Sequence, residues 1–205
     1  MGAEAACTGT FKGKTSKGKA RLESETLEFR APAFRVSIPF KEISKVTARD
    51  GALAVRSGQG TLSLALGAAA EKWALKIQHP RSRLEKIGVK APWRASAIQV
   101  DDAAFLEELA KAVATLSIGR VLDGSDAIFI GVTDTAQLSR LATLKRSLKP
   151  DGALWVIRPK GRPEISEQAV MAAGKAAGLV DVKVVSLSPT HTAEKFVIPI
   201  KSRPR

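Results

Sequence analysis

The alternation of hydrophobic and polar side chains changes its period along this chain. Apolar residues fill every second position of residues 34–40, and a period of two is typical of β-strands. Asp50-Gly51, between two segments of this kind, is a strong β-hairpin signal because both residues tolerate a positive φ. We therefore predict antiparallel strands over the first 67 residues, at positions 8–15, 19–23, 26–30, 34–40, 43–48, 52–55 and 61–66.

After Gly67 the period becomes about 3.6 residues. Ala70, Trp73 and Ile77 form one stripe with charged residues outside it, which predicts a helix that packs its Trp side chain against the preceding sheet. A Pro- and Gly-containing stretch, 88–93, follows. We predict two domains, residues 1–88 and 89–205.

Two short apolar runs, 127–132 and 153–157, are the clearest features of the second half. Such nearly continuous runs are typical of strands in a parallel sheet, where both faces are buried. Leucines at spacings of three and four between them predict a helix that ends at Pro150-Asp151-Gly152. A right-handed βαβ unit is the expected topology.

The rest of the second half shows strands alternating with helices. Asp102 is expected to cap the helix that follows a strand at 96–100, and Gly178 is expected to end a later helix. Further predicted elements are strands at 115–118, 180–187 and 196–200, the last two as an antiparallel hairpin, and a helix at 164–178. The predicted fold class is α+β, with an α/β Rossmann-like second domain.

The first domain resembles the pleckstrin-homology-like family, including its GRAM-type members. The resemblance covers residues 8–79 and rests on the order of seven short strands and one helix, on IPFKEISKVTARDG before GALAV, and on AAAEKWALKI. It implies an antiparallel β-barrel that is closed by the C-terminal helix.

The second domain resembles the class I methyltransferase fold, and in particular a bacterial family of unknown function with a shortened form of it. The resemblance covers residues 86–200 and rests on SDAIFIGV, LKRSLKPDGALWVIRPKG and AAGLVDVKVVSLSPTHTAEKFVIP. The chain departs from that pattern where S-adenosylmethionine would bind. The turn after the first strand has no glycine, Gly119-Arg120 follows the second strand where an acid is expected, and residues 101–125 leave room for one extra strand at most.

Composition changes this picture only through charge. The net charge is +13, and residues 1–90 carry 17 Lys and Arg against eight Asp and Glu. A basic chain favours an anionic partner, either nucleic acid or an acidic membrane surface, and a protein partner stays open. No apolar run is long enough to span a bilayer, and the first residues lack the apolar stretch of a signal peptide, so we expect a cytoplasmic protein.

Five cations near the amino terminus are candidates for anion binding. If the chain turned at Ser16-Lys17-Gly18, the two strands of a hairpin would bring these cations together with no acid between Phe11 and Leu22. A solvated hairpin surface is the alternative. The five residues are Lys12, Lys14, Lys17, Lys19 and Arg21.

Five further residues lie in predicted loops of the second domain. Asp101 and Asp102 follow the first strand and form either a carboxylate pair for acid and base chemistry or, more simply, a helix cap. His191 lies in a hairpin turn, and Lys160 and Arg162 follow a strand of the βαβ unit, where open α/β sheets bind ligands. None of the five has a nucleophile or metal partner at a fixed spacing, so we assign no catalytic, metal-binding or cofactor-binding residue and expect no cofactor.

Three functions are compatible with this sequence. The interpretation we favour is a non-enzymatic binding or scaffold protein whose methyltransferase-like domain has lost its cofactor site. The first alternative is an S-adenosylmethionine-dependent methyltransferase with an atypical cofactor site. The second alternative is an adaptor that binds an anionic surface or nucleic acid.

Overall fold

The chain forms two compact units in the computed structural model, which describes residues 2–203. One unit ends at Arg81 and the other begins at Ser82, earlier than the predicted boundary. The reason is the short helix Arg83–Ile87, because Ile87 is buried in the core of the second unit. Independent folding of the two parts stays a prediction.

The first unit is a seven-stranded antiparallel sheet followed by a helix. The strand order is β4-β3-β2-β1-β7-β6-β5. Its elements are β1 (Ala3–Phe11), β2 (Lys14–Leu22), β3 (Thr26–Arg30), β4 (Arg35–Pro39), β5 (Ile43–Arg49), β6 (Ala52–Ser57), β7 (Gly60–Ala65) and α1 (Ala69–Gln78), with a 3-10 turn at Phe40–Glu42.

The first hairpin turns at Lys12-Gly13, so the predicted turn at Ser16-Lys17-Gly18 is wrong. Lys12 and Gly13 have φ values of 48° and 75°, which is the pattern of a two-residue type I′ turn. Gly18 lies inside β2, where a Cβ would overlap the carbonyl oxygen of Arg30. The glycine therefore allows close strand packing instead of a turn. The Asp50-Gly51 hairpin is confirmed, with φ values of 49° and 74°.

One apolar core fills the concave side of this sheet. Leu27 and Phe29 from β3 share the core with Leu53 from β6 and Leu64 from β7, so the two halves of the sheet curl toward each other. Trp73 on α1 is buried in the same core, as the helical stripe predicted. The sheet is a half-barrel, because its edge strands β4 and β5 are not paired with each other in the described residues. A closed barrel of the pleckstrin-homology type is not confirmed.

The second unit is a six-stranded mixed sheet with helices on both faces. The strand order is β12-β13-β11-β10-β8-β9, with β9, β8, β10 and β11 parallel and β13 antiparallel to both β11 and β12. Its elements are α2 (Arg83–Ile87), β8 (Arg94–Ile98), α3 (Ala103–Ala112), β9 (Thr115–Ile118), β10 (Ser125–Gly131), α4 (Leu141–Leu144), β11 (Leu148–Pro159), α5 (Glu167–Ala176), β12 (Val180–Ser186) and β13 (His191–Val197), with 3-10 turns at Thr135–Arg140, Lys145–Ser147, Pro163–Ile165 and Ile200–Ser202.

The crossover between β10 and β11 is present, but its helix is short and irregular. Only Leu141–Leu144 is α-helical, and 3-10 turns flank it. Pro150-Asp151-Gly152 does not end this helix, because β11 begins at Leu148 and these residues belong to the strand. The leucine spacing nevertheless predicted the buried side correctly, since Leu138, Leu141 and Leu144 all enter the core.

Separate apolar cores cover the two faces of the second sheet. Alternate residues of β11 divide between them, so Leu154 and Val156 face the side of α5 while Trp155 and Ile157 face the side of α3. Among residues 2–203, no helix is both long and apolar enough to cross a membrane.

Candidate functional site

A cleft lies at the carboxyl ends of β8, β10 and β11. From β8 the chain crosses to β9 on one side, and from β10 it crosses to β11 on the other side. The point between β8 and β10 is therefore the topological switch point, where open α/β sheets bind their ligands. The cleft here has a cavity volume of about 30 Å³. Its lining includes Gln99, Asp101, Asp102, Thr133, Leu187 and His191.

Asp101 and Asp102 both line the cleft, but only Asp101 is free to act. Asp102 Oδ1 accepts a hydrogen bond of 2.8 Å from the backbone N–H of Phe105, so Asp102 caps α3 as predicted. Its Oδ2 accepts a second bond of 2.8 Å from Arg83, which also binds Glu108. Asp101 is exposed and has no such partner among the described residues. The pair therefore divides into one structural and one available carboxylate.

The floor of the cleft is an unusually close approach of two strand ends. Gln99 adopts a φ of 53°, a left-handed conformation that costs free energy for a residue with a Cβ. Gly131 at the end of β10 lies against it, and a Cβ at position 131 would overlap the Gln99 carbonyl oxygen. Nothing in the sequence signals a left-handed glutamine, so this feature was not predicted. Strained backbone of this kind is concentrated at functional sites.

Polar side chains from the loop after β10 hold Gln99 in place. Its Oε1 accepts hydrogen bonds of 2.9 Å from Arg140 and 3.3 Å from Gln137. Gln137 Oε1 in turn accepts bonds from the backbone N–H groups of Thr133 and Asp134. The strained residue is therefore held by side-chain hydrogen bonds that link the loops after β8 and β10.

His191 and Leu187 form the wall contributed by the β12–β13 hairpin. The Nδ1 of His191 lies 2.9 Å from the hydroxyl oxygen of Thr190, and its backbone N–H donates to the Ser188 hydroxyl. These contacts orient the imidazole and leave Nε2 without a partner among residues 2–203. The cleft thus brings together Asp101, Asp102 and His191, which the sequence identified separately.

Lys160 and Arg162, also predicted as site residues, do not line the cleft. Lys160 Nζ donates to the Ser186 hydroxyl and to the Ser188 carbonyl, which fixes the base of the hairpin. Arg162 pairs with Glu164 at 2.9 Å. Both cations are used by neighbouring protein groups, so the structure gives them a local structural role.

The five hairpin cations of the first unit do not converge as predicted. Lys19 and Arg21 both pair with Glu4 on β1, and Arg21 also pairs with Glu23. Lys12 lies in the turn, with its Nζ 5.4 Å from the Phe11 ring centroid. Lys14 and Lys17 are exposed and lie on opposite faces of β2 because they are three positions apart in the strand. Anion binding by this hairpin stays a prediction.

A larger and more open depression, of about 440 Å³, lies at the amino end of β11. Its oriented cation, Lys145, donates to the carbonyls of Ala177 and Gly178, where α5 ends. The depression has no carboxylate or imidazole in its lining. The smaller cleft is the better candidate because it combines such groups with the position expected for a ligand. No cluster of potential metal ligands occurs in the described part of the chain.

The sequence matches no protein-family model and no curated protein. Several solved structures are similar in fold. They include a SAM-dependent methyltransferase from Aquifex aeolicus (20% identity, 57% of this chain and 87% of that chain, TM-score 0.45). A second is the fibrillarin pre-rRNA processing protein of Methanococcus jannaschii (11% identity, 86% of this chain and 95% of that chain, TM-score 0.41). A third is a methyltransferase from Pyrococcus furiosus (12% identity, 56% of this chain and 78% of that chain, TM-score 0.39). These similarities concern the fold and do not identify a reaction.

The second unit is mixed α/β, as expected, and methyltransferases are among the solved structures that the chain resembles. The favoured interpretation of the sequence, a binding or scaffold protein with a degenerate methyltransferase-like domain, is corrected. Most of the solved structures that resemble the chain are named methyltransferases, which is the first alternative and not the favoured interpretation. A pleckstrin-homology or GRAM-type first unit is not confirmed.

Proposed function

We propose that the second unit is an S-adenosylmethionine-dependent methyltransferase with an atypical cofactor site at the cleft. The observation that carries this proposal is the local charge. The lining of the cleft contains the available carboxylate of Asp101, beside Asp102 that Arg83 pairs, and neither lysine nor arginine, in a chain with a net charge of +13. A carboxylate-lined cleft at the switch point suits a cationic ligand, and S-adenosylmethionine carries positive charge on both its sulfur and its ammonium group.

The residues present fit the methionine end of this cofactor. Asp101 can accept hydrogen bonds from the ammonium group, and Arg140, which lies beside the cleft on Gln99, can bind the carboxylate. Fewer protein groups are available to contact the adenosine end of the cofactor. The strand β9 ends at Ile118, which is 61% exposed, and Gly119 follows it, so this end offers an apolar surface and no acid for the ribose. The small cavity volume means that the cofactor would lie on the cleft rather than inside it.

The chain's own groups define what can happen at such a site. When bound, S-adenosylmethionine supplies an electrophilic methyl group on a positively charged sulfur. Asp101 fixes the orientation of the ligand. The close contact between Gln99 and Gly131 keeps the floor of the cleft in place. His191, oriented by Thr190, can accept at Nε2 the proton that a hydroxyl or amine acceptor loses on methylation.

Calorimetry with S-adenosylmethionine tests the proposal, with Asp101→Asn as the main variant. We expect measurable binding by the wild-type chain and a loss of about tenfold, or roughly 1.4 kcal/mol, in the variant because one charge-assisted contact is lost. Asp151→Asn is the matched control, since Asp151 is an exposed carboxylate in β11 outside the cleft lining. It should bind like the wild type. No binding by the wild type at the tens of micromolar, or equal losses in both variants, would refute the proposal.

The finer likeness of the first unit to pleckstrin-homology-like domains stays part of this proposal. Its support is the order of seven strands followed by one helix with an inward Trp73. The anion-binding role that this likeness suggests would fall to Lys12, Lys14 and Lys17, which have no carboxylate partner among the described residues. Its test is given with the predictions below.

A further inference from the structure

Two lysines face each other directly across the terminal hairpin of the second sheet. Lys183 on β12 and Lys195 on β13 are register partners in an antiparallel pair. Both pack on the same buried side chain, with their Nζ atoms 5.6 Å and 5.9 Å from the ring centroid of Trp155. Like charges in directly opposed positions destabilise an antiparallel pair, so this arrangement has a cost in the protein alone.

A hydrogen bond to the backbone fixes the position of the Lys183 side chain. Its Nζ donates a hydrogen bond of 2.8 Å to the carbonyl of Lys86 in α2, which holds the ammonium group against the protein. Neither Lys183 nor Lys195 forms an ion pair with a carboxylate in the described part of the chain. The protein therefore holds two cations together without neutralising them.

Lys90, in the loop between α2 and β8, adds a third positive charge. The pKa of Lys195 lies below its ordinary value, because of partial burial first and then because of the charges of Lys183 and Lys90. Lys90 also has no carboxylate partner among residues 2–203. A convergence of cations with no counter-ion is typical of a site that receives its negative charge from a ligand.

We propose that Lys90, Lys183 and Lys195, here called the lysine triad, bind a phosphate group. Phosphate carries between one and two negative charges and several acceptor oxygens, and lysine binds it as a compact point charge. The Trp155 ring, on which Lys183 and Lys195 both pack, keeps their ammonium groups in place, so little side-chain entropy is lost on binding. The proposal does not depend on methyl transfer.

The lysine triad and the cleft lie on one face of the sheet. Lys195 and His191 are four residues apart on β13 and therefore point the same way, at a separation of about 13 Å. A nucleic-acid strand with one phosphate on the triad could reach the cleft, and the net charge of +13 favours such a polyanion over a single phosphate. A free phosphate or phosphorylated small molecule is the other source of the same chemistry.

The test compares two double variants that remove the same charge. Lys183→Gln with Lys195→Gln changes the triad, and Lys72→Gln with Lys76→Gln changes two exposed lysines of α1. Fluorescence anisotropy measures binding of a short labelled single-stranded RNA over a range of salt concentrations, and thermal melts measure stabilisation by inorganic phosphate. We expect the triad variant to bind RNA at least about tenfold more weakly. Its salt dependence should also fall by about 0.7 in log-log slope, because one phosphate contact is lost.

Each outcome has a defined meaning. Loss in the triad variant with both ligands supports the site and a nucleic-acid source, while an effect with inorganic phosphate alone supports the site with a small phosphorylated ligand. Equal losses in the two double variants, or no binding of either ligand by the wild type at low salt, would overturn the proposal. If the triad variant melts abnormally, the single variant Lys90→Gln in the exposed loop and the pair Lys183→Arg with Lys195→Arg, which should retain binding, make the same distinction.

Discussion

The basic hairpin of the first unit and the lysine triad of the second differ in how their charges are balanced. On the hairpin, Lys19 and Arg21 share the carboxylate of Glu4, so the outer face of β2 is largely neutralised. In the triad, Lys183 and Lys195 face each other with no carboxylate to separate them. Both regions are pairs of antiparallel strands. The difference lies in what the neighbouring strand places opposite them.

This comparison shows that a count of charges along the chain does not locate the charges that are left unbalanced. The first 90 residues hold most of the excess positive charge, and the hairpin has the densest run of lysines. Its strand partner β1 supplies an acid, which the run itself does not reveal. In the second unit the total excess is smaller, but the cations that remain unpaired are close together. An anionic ligand is attracted by the positive charge that no carboxylate balances.

The largest expected effect concerns a buried cation whose charge is balanced by a buried carboxylate. Arg158 and Glu194 form a buried ion pair with Nη2 and Oε1 2.7 Å apart. Arg158→Met should lower the free energy of unfolding by about 3–5 kcal/mol, because it leaves the Glu194 carboxylate buried without its partner. Chemical denaturation measures this loss.

The control for this variant is Lys149→Met, which breaks the pair with Asp126. Lys149 is 44% exposed, so the loss should be about 1 kcal/mol or less. Replacing both partners, Arg158→Met with Glu194→Leu, should recover much of the stability, since no charge is then left buried. Equal losses for Arg158→Met and Lys149→Met would show that burial does not distinguish the two pairs.

The second effect is a dependence of stability on pH that originates at Glu194. Burial raises the pKa of Glu194 above its ordinary 4.5, and the Arg158 charge opposes that shift only in part. A raised pKa in the folded state means that the native protein holds the proton more tightly than the unfolded chain. This contribution is therefore present at low pH and is lost as the pH rises from 4.5 through the folded pKa.

Thermal melts over that pH range provide the measurement. Glu194→Gln should remove this component of the pH dependence, because glutamine does not titrate. Glu4→Gln is the contrasting variant, since the pKa of Glu4 is lowered by its hydrogen bond with Lys19. The two profiles should therefore differ from the wild type in opposite directions. Parallel profiles for the two variants would contradict the assignment.

The third effect is smaller, and it is a gain in stability on removal of a lysine. Lys195→Gln should raise the free energy of unfolding by roughly 0.5 kcal/mol in phosphate-free buffer, because it removes one of two directly opposed charges. Lys72→Gln on the exposed side of α1 should leave stability unchanged. A destabilised Lys195→Gln protein would mean that its packing on Trp155 outweighs the repulsion.

The smallest effect concerns the hairpin itself. Glu4→Gln removes the acid that Lys19 and Arg21 share and so converts the hairpin into a second uncompensated cluster. We expect little change in stability and a modest gain in RNA affinity at low salt, which disappears as salt screens the surface. Lys14→Ser with Lys17→Ser in the Glu4→Gln background should cancel that gain. If the original protein already loses RNA binding on this double change, the hairpin is an anion site as it stands.

Much of the fold was predictable because local patterns and tertiary structure agree. The alternation in residues 34–40, the Asp50-Gly51 turn and the Trp73 stripe each correspond to an observed element. The first turn was misplaced because Gly18, a residue common in turns, serves strand packing there. The crossover helix was overextended, since buried leucines recur at helical spacing even where the backbone is in 3-10 turns.

The candidate site was predictable only in part. Asp102 was recognised as a cap, and Asp101 and His191 were located because both follow or precede strand ends. The left-handed Gln99 and its bond to Arg140 have no local signature, since they depend on how the loops after β8 and β10 meet. The lysine triad was missed for a similar reason, because Lys90, Lys183 and Lys195 are far apart in sequence.

The close contact at Gly131 has a consequence for how this cleft can evolve. Any side chain at position 131 would have to displace the backbone of Gln99, so the floor between β8 and β10 is closed to substitution. The opposite wall is open to change, because the turn between Leu187 and His191 lies on the surface. Changes in the length and composition of that turn are the expected record of adaptation in relatives of this chain.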